Sequence, residues 1–176
     1  TGAAGGLITS TPTSLDFGAV AVNQSVAQTV VLNNSGTGSL SGLSFGVPSG
    51  YAVSGCGGTI VSGASCTLTV TFRPHAAQSY SRNLTINSSL ATNSGFIVPL
   101  KGTGFVPTPV LTPSVTALNF PDTTNGTSST ITFTITNTGT ATLSSIRFNS
   151  SSSVFTASGC STSVAPKASC TVTVTF

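Results

Sequence analysis

The chain has 176 residues, a formal net charge of +3, and only 4% charged residues. So small and scattered a surplus makes no basic stripe for nucleic acid. No apolar run approaches the roughly 18 to 20 residues of a membrane-spanning helix, and aromatics, with Trp absent, are too sparse for the girdles of a membrane barrel.

The charged side chains are Asp16, Asp122, Arg73, Arg82, Arg147, Lys101 and Lys167, and none falls between Phe17 and Phe72. Ordinary soluble domains carry about a quarter of their residues charged. Here Ser and Thr fill 60 positions, so hydroxyls and amides must cover the surface. That composition suits an extracellular or cell-surface protein. Thr1 opens the chain as in a mature or trimmed product, which leaves the export route unseen.

Residues 1–14 are small, flexible and uncharged, and read as a linker-like segment. Residues 15–104 form a first repeat. It opens at Leu15-Asp16-Phe17, matched by Leu118-Asn119-Phe120 in the second copy, and after Phe17 reads as strand and turn: a strand at Thr29 to Leu32, then a turn at Asn33-Asn34-Ser35-Gly36 where Asn and Gly supply positive φ. Leu40, Leu43 and Phe45 follow, then Tyr51-Ala52-Val53, then a C-x9-C pair, Cys56 and Cys66. From Cys66 to Phe72 the chain alternates, which places Cys66, Leu68, Val70 and Phe72 on one face and the threonines on the other. Tyr80 to Ile86 and Phe96 to Leu100 complete about seven short strands, with Pro99 expected at an edge because it cannot donate to a ladder. An all-β, immunoglobulin-like sandwich is the natural fit.

The whole pattern returns. Ser54 to Phe72, SGCGGTIVSGASCTLTVTF, reappears 104 residues later as SGCSTSVAPKASCTVTVTF, with Cys160 and Cys170 as its cysteines. The fold class is therefore tandem immunoglobulin-like sandwiches: the first repeat, a Pro-rich linker at 105–113, and an incomplete second repeat at 114–176. Two cysteines per repeat cannot close a tetrahedral metal site. One disulfide in each repeat, Cys56–Cys66 and Cys160–Cys170, is the better reading and implies an oxidising compartment; the alternative is a set of buried reduced thiols.

Leu15-x-Phe17-Gly18, Asn34-x-Gly36, the C-x9-C pair, Phe72-Arg73-Pro74 and Leu100-Lys101-Gly102-Thr103-Gly104 together resemble the immunoglobulin-like repeat of bacterial choice-of-anchor D proteins. That repeat is similar to the ASH (ASPM, SPD-2, hydin) domains of the PapD-like and major-sperm-protein-like group. The resemblance covers about residues 9–104, and 110–176 less completely, since Pro121 stands where the first copy has Gly18. It implies tandem sandwiches in exported or surface-attached proteins, bacterial in the case of that repeat, and implies no catalytic site.

The second repeat stops where the first has two more strands, so a sandwich face and two sheet edges are expected to be bare, a costly arrangement. Either the strands lie beyond Phe176 or a neighbour donates them, with Leu7 and Ile8 as a donor segment and Cys170, Val172, Val174 and Phe176 as the receiving strand. Residues 1–14 offer one strand for a gap of two, which favours the first explanation.

Chemistry finds little footing. Asp16 and Asp122 sit at matching places in separate repeats, so they form no acid–base pair. His75, the single histidine, reads as a solvated turn residue. No enzyme activity, cofactor or metal is expected. Six Asn-x-Ser/Thr sequons (Asn23, Asn33, Asn83, Asn87, Asn125, Asn149) occur in a chain rich in all three residues. Tyr51 and Tyr80 could serve a sugar-stacking platform, although Tyr51 is matched by Phe155 in the second copy, which argues for core. The leading expectation is a structural protein of the cell exterior, a stalk, fibre or self-assembling filament, partnered by copies of itself or by neighbouring repeats. The alternative is an adhesin-type module for glycans or host proteins.

Overall fold

The computed structural model describes residues 5–160 and 162–176, and among these there is no helix. The chain divides between Val106 and Pro107 into two compact units.

The first unit is a sandwich of two four-stranded sheets. One sheet has the order β1-β3-β6-β5, from β1 (Ile8–Thr11), β3 (Val26–Asn34), β6 (Ser65–Phe72) and β5 (Tyr51–Gly55). The other has the order β2-β8-β7-β4, from β2 (Leu15–Ala21), β8 (Phe96–Phe105), β7 (Ser79–Asn87) and β4 (Ser44–Gly46). The alternation read from Cys66 to Phe72 holds: Leu68, Val70 and Phe72 are buried. They meet Leu84, Ile86, Val98 and Leu100 of the opposite sheet in one core. Burying each such side chain stabilises by about 1.5 to 3 kcal/mol.

Three expectations change here. Residues 8–11, expected within a linker, form β1, paired with β3 from Ile8↔Asn34 to Thr11↔Val31; residues 1–4 of that segment lie outside the described residues. Strand β1 is an edge, so the neighbouring Pro12 interrupts no ladder on its outer side. The unit accordingly has eight strands rather than about seven. Pro99 lies in β8, an inner strand, opposite Asn83 of β7. The β2 ladder begins one residue later, at Leu15↔Leu100, so on that flank β8 is still locally an edge at Pro99.

The second unit has one four-stranded sheet of order β12-β14-β10-β9. Its strands are β9 (Leu111–Pro113), β10 (Thr130–Asn137), β12 (Thr156–Gly159) and β14 (Ser169–Thr175), joined by a short ribbon of β11 (Leu143–Ser144) and β13 (Ser163–Val164). The sheet repeats β1, β3, β6 and β5: Val30↔Leu68 in the first unit is Phe133↔Val172 in the second. Leu111–Pro113, expected as linker, is β9, and Phe105 closes β8, so the 105–113 linker shrinks at both ends.

The second sheet has no counterpart among the described residues of this unit. The two strands expected to be lacking are indeed without counterparts, and the equivalents of β2 and β4 do not form among the described residues either. Strands β2 and β4 pair only with β8 and β7. Without those partners, the equivalent stretches around Leu118 and Phe148 have no ladder to join and remain irregular.

Candidate functional site: the open face of the second unit

Each unit is pinned by the same two devices. The first is a buried asparagine. The Nδ2 of Asn34 donates to the carbonyls of Gly38 (2.7 Å) and Ile60 (2.9 Å), and its Oδ1 accepts from the N–H of Leu7 (3.1 Å) and Gly36 (3.2 Å). Asn137 does the same with Ala141 (2.7 Å), Val164 (2.9 Å), Val110 (3.2 Å) and Gly139 (3.1 Å). One side chain thus ties the entering edge segment, its own turn and the Ile60 or Val164 segment together, with its hydrogen-bonding capacity used in full. The turn reading of Asn34 gives only part of its role; the usable signal is the Asn-x-Gly at matching places in both copies, Asn34-Ser35-Gly36 and Asn137-Thr138-Gly139.

The second device is the clasp. Cys56 is bonded to Cys66 and Cys160 to Cys170, with Cα atoms 5.3 and 5.0 Å apart. Gly55 and Cys56 both have positive φ (92° and 51°), as do Gly159 and Cys160 (94° and 42°). At Gly159 a side chain would also collide with the Thr171 carbonyl, so Gly before Cys is a steric requirement of the clasp. Closing so short a loop stabilises by about 2 to 3 kcal/mol on a chain-entropy basis.

The aromatic residues show how the two units differ. In the first unit Tyr51 stacks on Phe72 (4.9 Å between ring centroids), and Phe17 lies 5.7 and 5.6 Å from the two. In the second, Phe155 stacks on Phe176 (5.0 Å), and Phe120 lies 5.6 and 5.8 Å away. The triads match ring for ring. The first has a fourth member, Tyr80 of β7, set edge-on to Phe72 at 5.2 Å. The cross-strand partner of Tyr80 is Gly102. A Cβ on Gly102 would come within 2.6 Å of the Phe72 ring, so the glycine is what lets the ring lie against the strand. Phe72 is 0% exposed, whereas Phe176, lacking both covers, is 39% exposed.

The receiving residues named from the sequence therefore lie together on one sheet. Cys170 is in the clasp, Val172 is buried, Val174 is half-buried, and Phe176 is exposed. Beside Val172 and Val174, with Phe133, Phe148 and Phe155, is a cleft of about 420 Å³. The donor segment is not free. Ile8 is buried in β1, its backbone N–H and C=O both bonded to the Asn93 side chain (2.9 Å each), and Leu7 donates to Asn34.

The residues weighed for chemistry are dispersed. Asp16 caps the β2 bulge through Gly18 N–H (2.9 Å), which holds its carboxyl below the usual range, and pairs with exposed Lys101 at 3.5 Å. Surface pairs of this kind are worth little. His75 is exposed, and its backbone N–H donates to the Tyr80 hydroxyl. Among the described residues no three of His, Cys, Asp and Glu come together as a metal site would need. Tyr51 and Tyr80 are both core residues, which removes them as a sugar-stacking platform. Burial pushes the Tyr51 hydroxyl up to about 12. Among the described residues no helix is long and apolar enough to cross a membrane.

The fold defines a class: disulfide-clasped, ASH-like immunoglobulin-like domains of the PapD-like kind. The chain belongs to the Cep192 domain 4 family, whose model matches residues 6–105. No curated protein matches the sequence. Among solved structures it is similar to the human CEP192 ASH/PapD-like domain 7, with 16% identity, 60% of this chain and 90% of that one covered, and a TM-score of 0.47. It is also similar to a protein of unknown function from Porphyromonas gingivalis W83 (13%, 96% and 82%, TM-score 0.45). A third is the Vibrio cholerae VesB protease (15%, 55% and 31%, TM-score 0.43).

Proposed function

We infer that the chain is a segment of an exported structural array, a stalk or fibre in which clasped immunoglobulin-like units act as spacers and assemble with units of their own kind. The observation carrying this reading is the duplication of the whole pinning apparatus. The same four-bonded asparagine and the same glycine-preceded disulfide recur in both units, while the residues weighed for catalysis do not converge. Disulfides in such small units belong to oxidising compartments. A coat of hydroxyls with 4% charge suits a solvated exterior and leaves few of the charges that guard sheet edges against pairing.

The test is on the native protein. Thiol trapping of intact cells and immunogold electron microscopy should find all four cysteines oxidised and label on extended structures outside the cell. Reduced cysteines, or label confined to the cytosol, would overturn the reading.

A further inference from the structure

We propose that the solvent side of the second unit's sheet is an ice-binding face, on which a lattice of threonine hydroxyl and methyl groups holds the surface of a water-ice crystal. This goes beyond the array proposed above and does not rest on it.

The lattice follows from the register. Side chains alternate along a strand, so with Ile131, Phe133 and Ile135 turned to the cleft side, β10 turns Thr130, Thr132, Thr134 and Thr136 outward. Strand β14 turns Ser169, Thr171, Thr173 and Thr175 the same way. The antiparallel pairing sets them directly opposite one another, as Thr130↔Thr175, Thr132↔Thr173, Thr134↔Thr171 and Thr136↔Ser169. The edge strands lengthen the rows: β12 sets Thr156 and Ser158 beside Thr175 and Thr173, and β9 sets Thr112 beside Thr136. The Thr136 and Ser169 hydroxyls bond to each other at 2.8 Å. Among the described residues the four hydroxyls of the two middle pairs have no protein partner and are left to water. The first unit has no such lattice, because its β3 column reads Ala27, Thr29, Val31 and Asn33.

Spacing and chemistry select the ligand. Alternate residues of an antiparallel strand lie about 6.8 Å apart and neighbouring strands about 4.8 Å apart, and the oxygen repeat on the faces of an ice crystal runs close to both. Threonine is stiff at χ1, so its hydroxyl and methyl hold their lattice places and little rotamer freedom is lost on adsorption. The four strands carry no charged residue, and a charge would have to shed its water against ice. Their outward residues include no aromatic ring and no arginine, the usual anchors of a protein interface. Neighbouring strands twist by about 20 to 25°, so the match is confined to the central pair, β10 and β14. Adsorption to a growing crystal, which accumulates with time, is therefore the effect to measure.

The test grows ice slowly from a dilute solution of the intact chain and measures the fraction of protein taken into the ice, with serum albumin in the same vessel. Expected is enrichment of the chain in the ice while albumin is excluded. Thr132→Lys with Thr173→Lys should lower the enrichment at least about tenfold, and so should the next pair along the ladder, Thr134→Lys with Thr171→Lys. These positions leave the cleft side untouched, and unchanged amide exchange of β10 and β14 checks that each variant is folded. The matching change in the first unit, Thr29→Lys with Thr69→Lys, should leave the enrichment as it was. The proposal is overturned if the unaltered chain is excluded with albumin, if the folded lysine variants are enriched equally, or if the first-unit change abolishes enrichment. It is equally overturned if the lysine pairs abolish retention on crystalline cellulose and the chain shows no enrichment in ice. Each result stands apart from the cellular test of the array.

Discussion

Replacing Asn34 with alanine is the sharpest test of how these units are held together. Four hydrogen bonds of 2.7 to 3.2 Å are lost from a side chain 1% exposed. The Ile60 carbonyl keeps the Leu40 N–H, but the Leu7 and Gly36 N–H groups lose the Asn34 oxygen. With about 1 kcal/mol for each net bond and more for buried groups left unpaired, the cost is about 3 to 5 kcal/mol. Both tyrosines of the chain, Tyr51 and Tyr80, are in the first unit, so tyrosine fluorescence follows that unit alone during urea unfolding. Asn34→Ala should lower the tyrosine-detected stability by that amount, while Asn137→Ala leaves it unchanged. A loss below about 1 kcal/mol, or an equal response to Asn137→Ala, would refute the bracket as a local pin.

Further expectations follow from the same packing. Gly102→Ala drives a methyl into the Phe72 ring and should cost about 1 to 3 kcal/mol by the tyrosine signal. The double change Cys160→Ser with Cys170→Ser should destabilise the second unit by about 2 to 3 kcal/mol, read by hydrogen exchange of β10 and β14. High pH separates the two tyrosines. The Tyr51 hydroxyl, raised by burial to about 12, keeps its proton longer in the folded state than in the unfolded chain. Its contribution is therefore complete below about pH 10 and is lost as pH rises toward 12. Although burial pushes the Tyr80 hydroxyl up, hydrogen bonds from the Gln78 side chain and the Ala76 and His75 backbone hold it below its ordinary value, so it acts in the opposite direction. Tyr51→Phe isolates the first effect and should make alkaline unfolding less steep.

Much of the architecture was legible because its signals are local. Period-two alternation from Cys66 to Phe72, the Gly-Cys step of the clasp and the return of both 104 residues later all lie within short windows. They suffice for an all-β tandem and for pairing each cysteine with its neighbour. The edge strands were not legible. Ile8–Thr11 and Leu111–Pro113 sit among prolines and small residues that read as linker, and only an edge position, where one flank needs no donor, makes a strand of them. The place of Pro99 is not legible for the converse reason: whether a strand is an edge at one residue depends on where its neighbour begins.

The second unit shows the same division. That two strands were wanting could be counted from the repeat. That their absence also leaves the stretches around Leu118 and Phe148 irregular could not, because those residues carry nearly the same pattern as Leu15 and Phe45. A strand's side-chain pattern is written in its own residues, but its backbone hydrogen bonds belong to the neighbours. The sequence therefore names the faces, the clasps and the family, while the pairing partners determine which segments become strands.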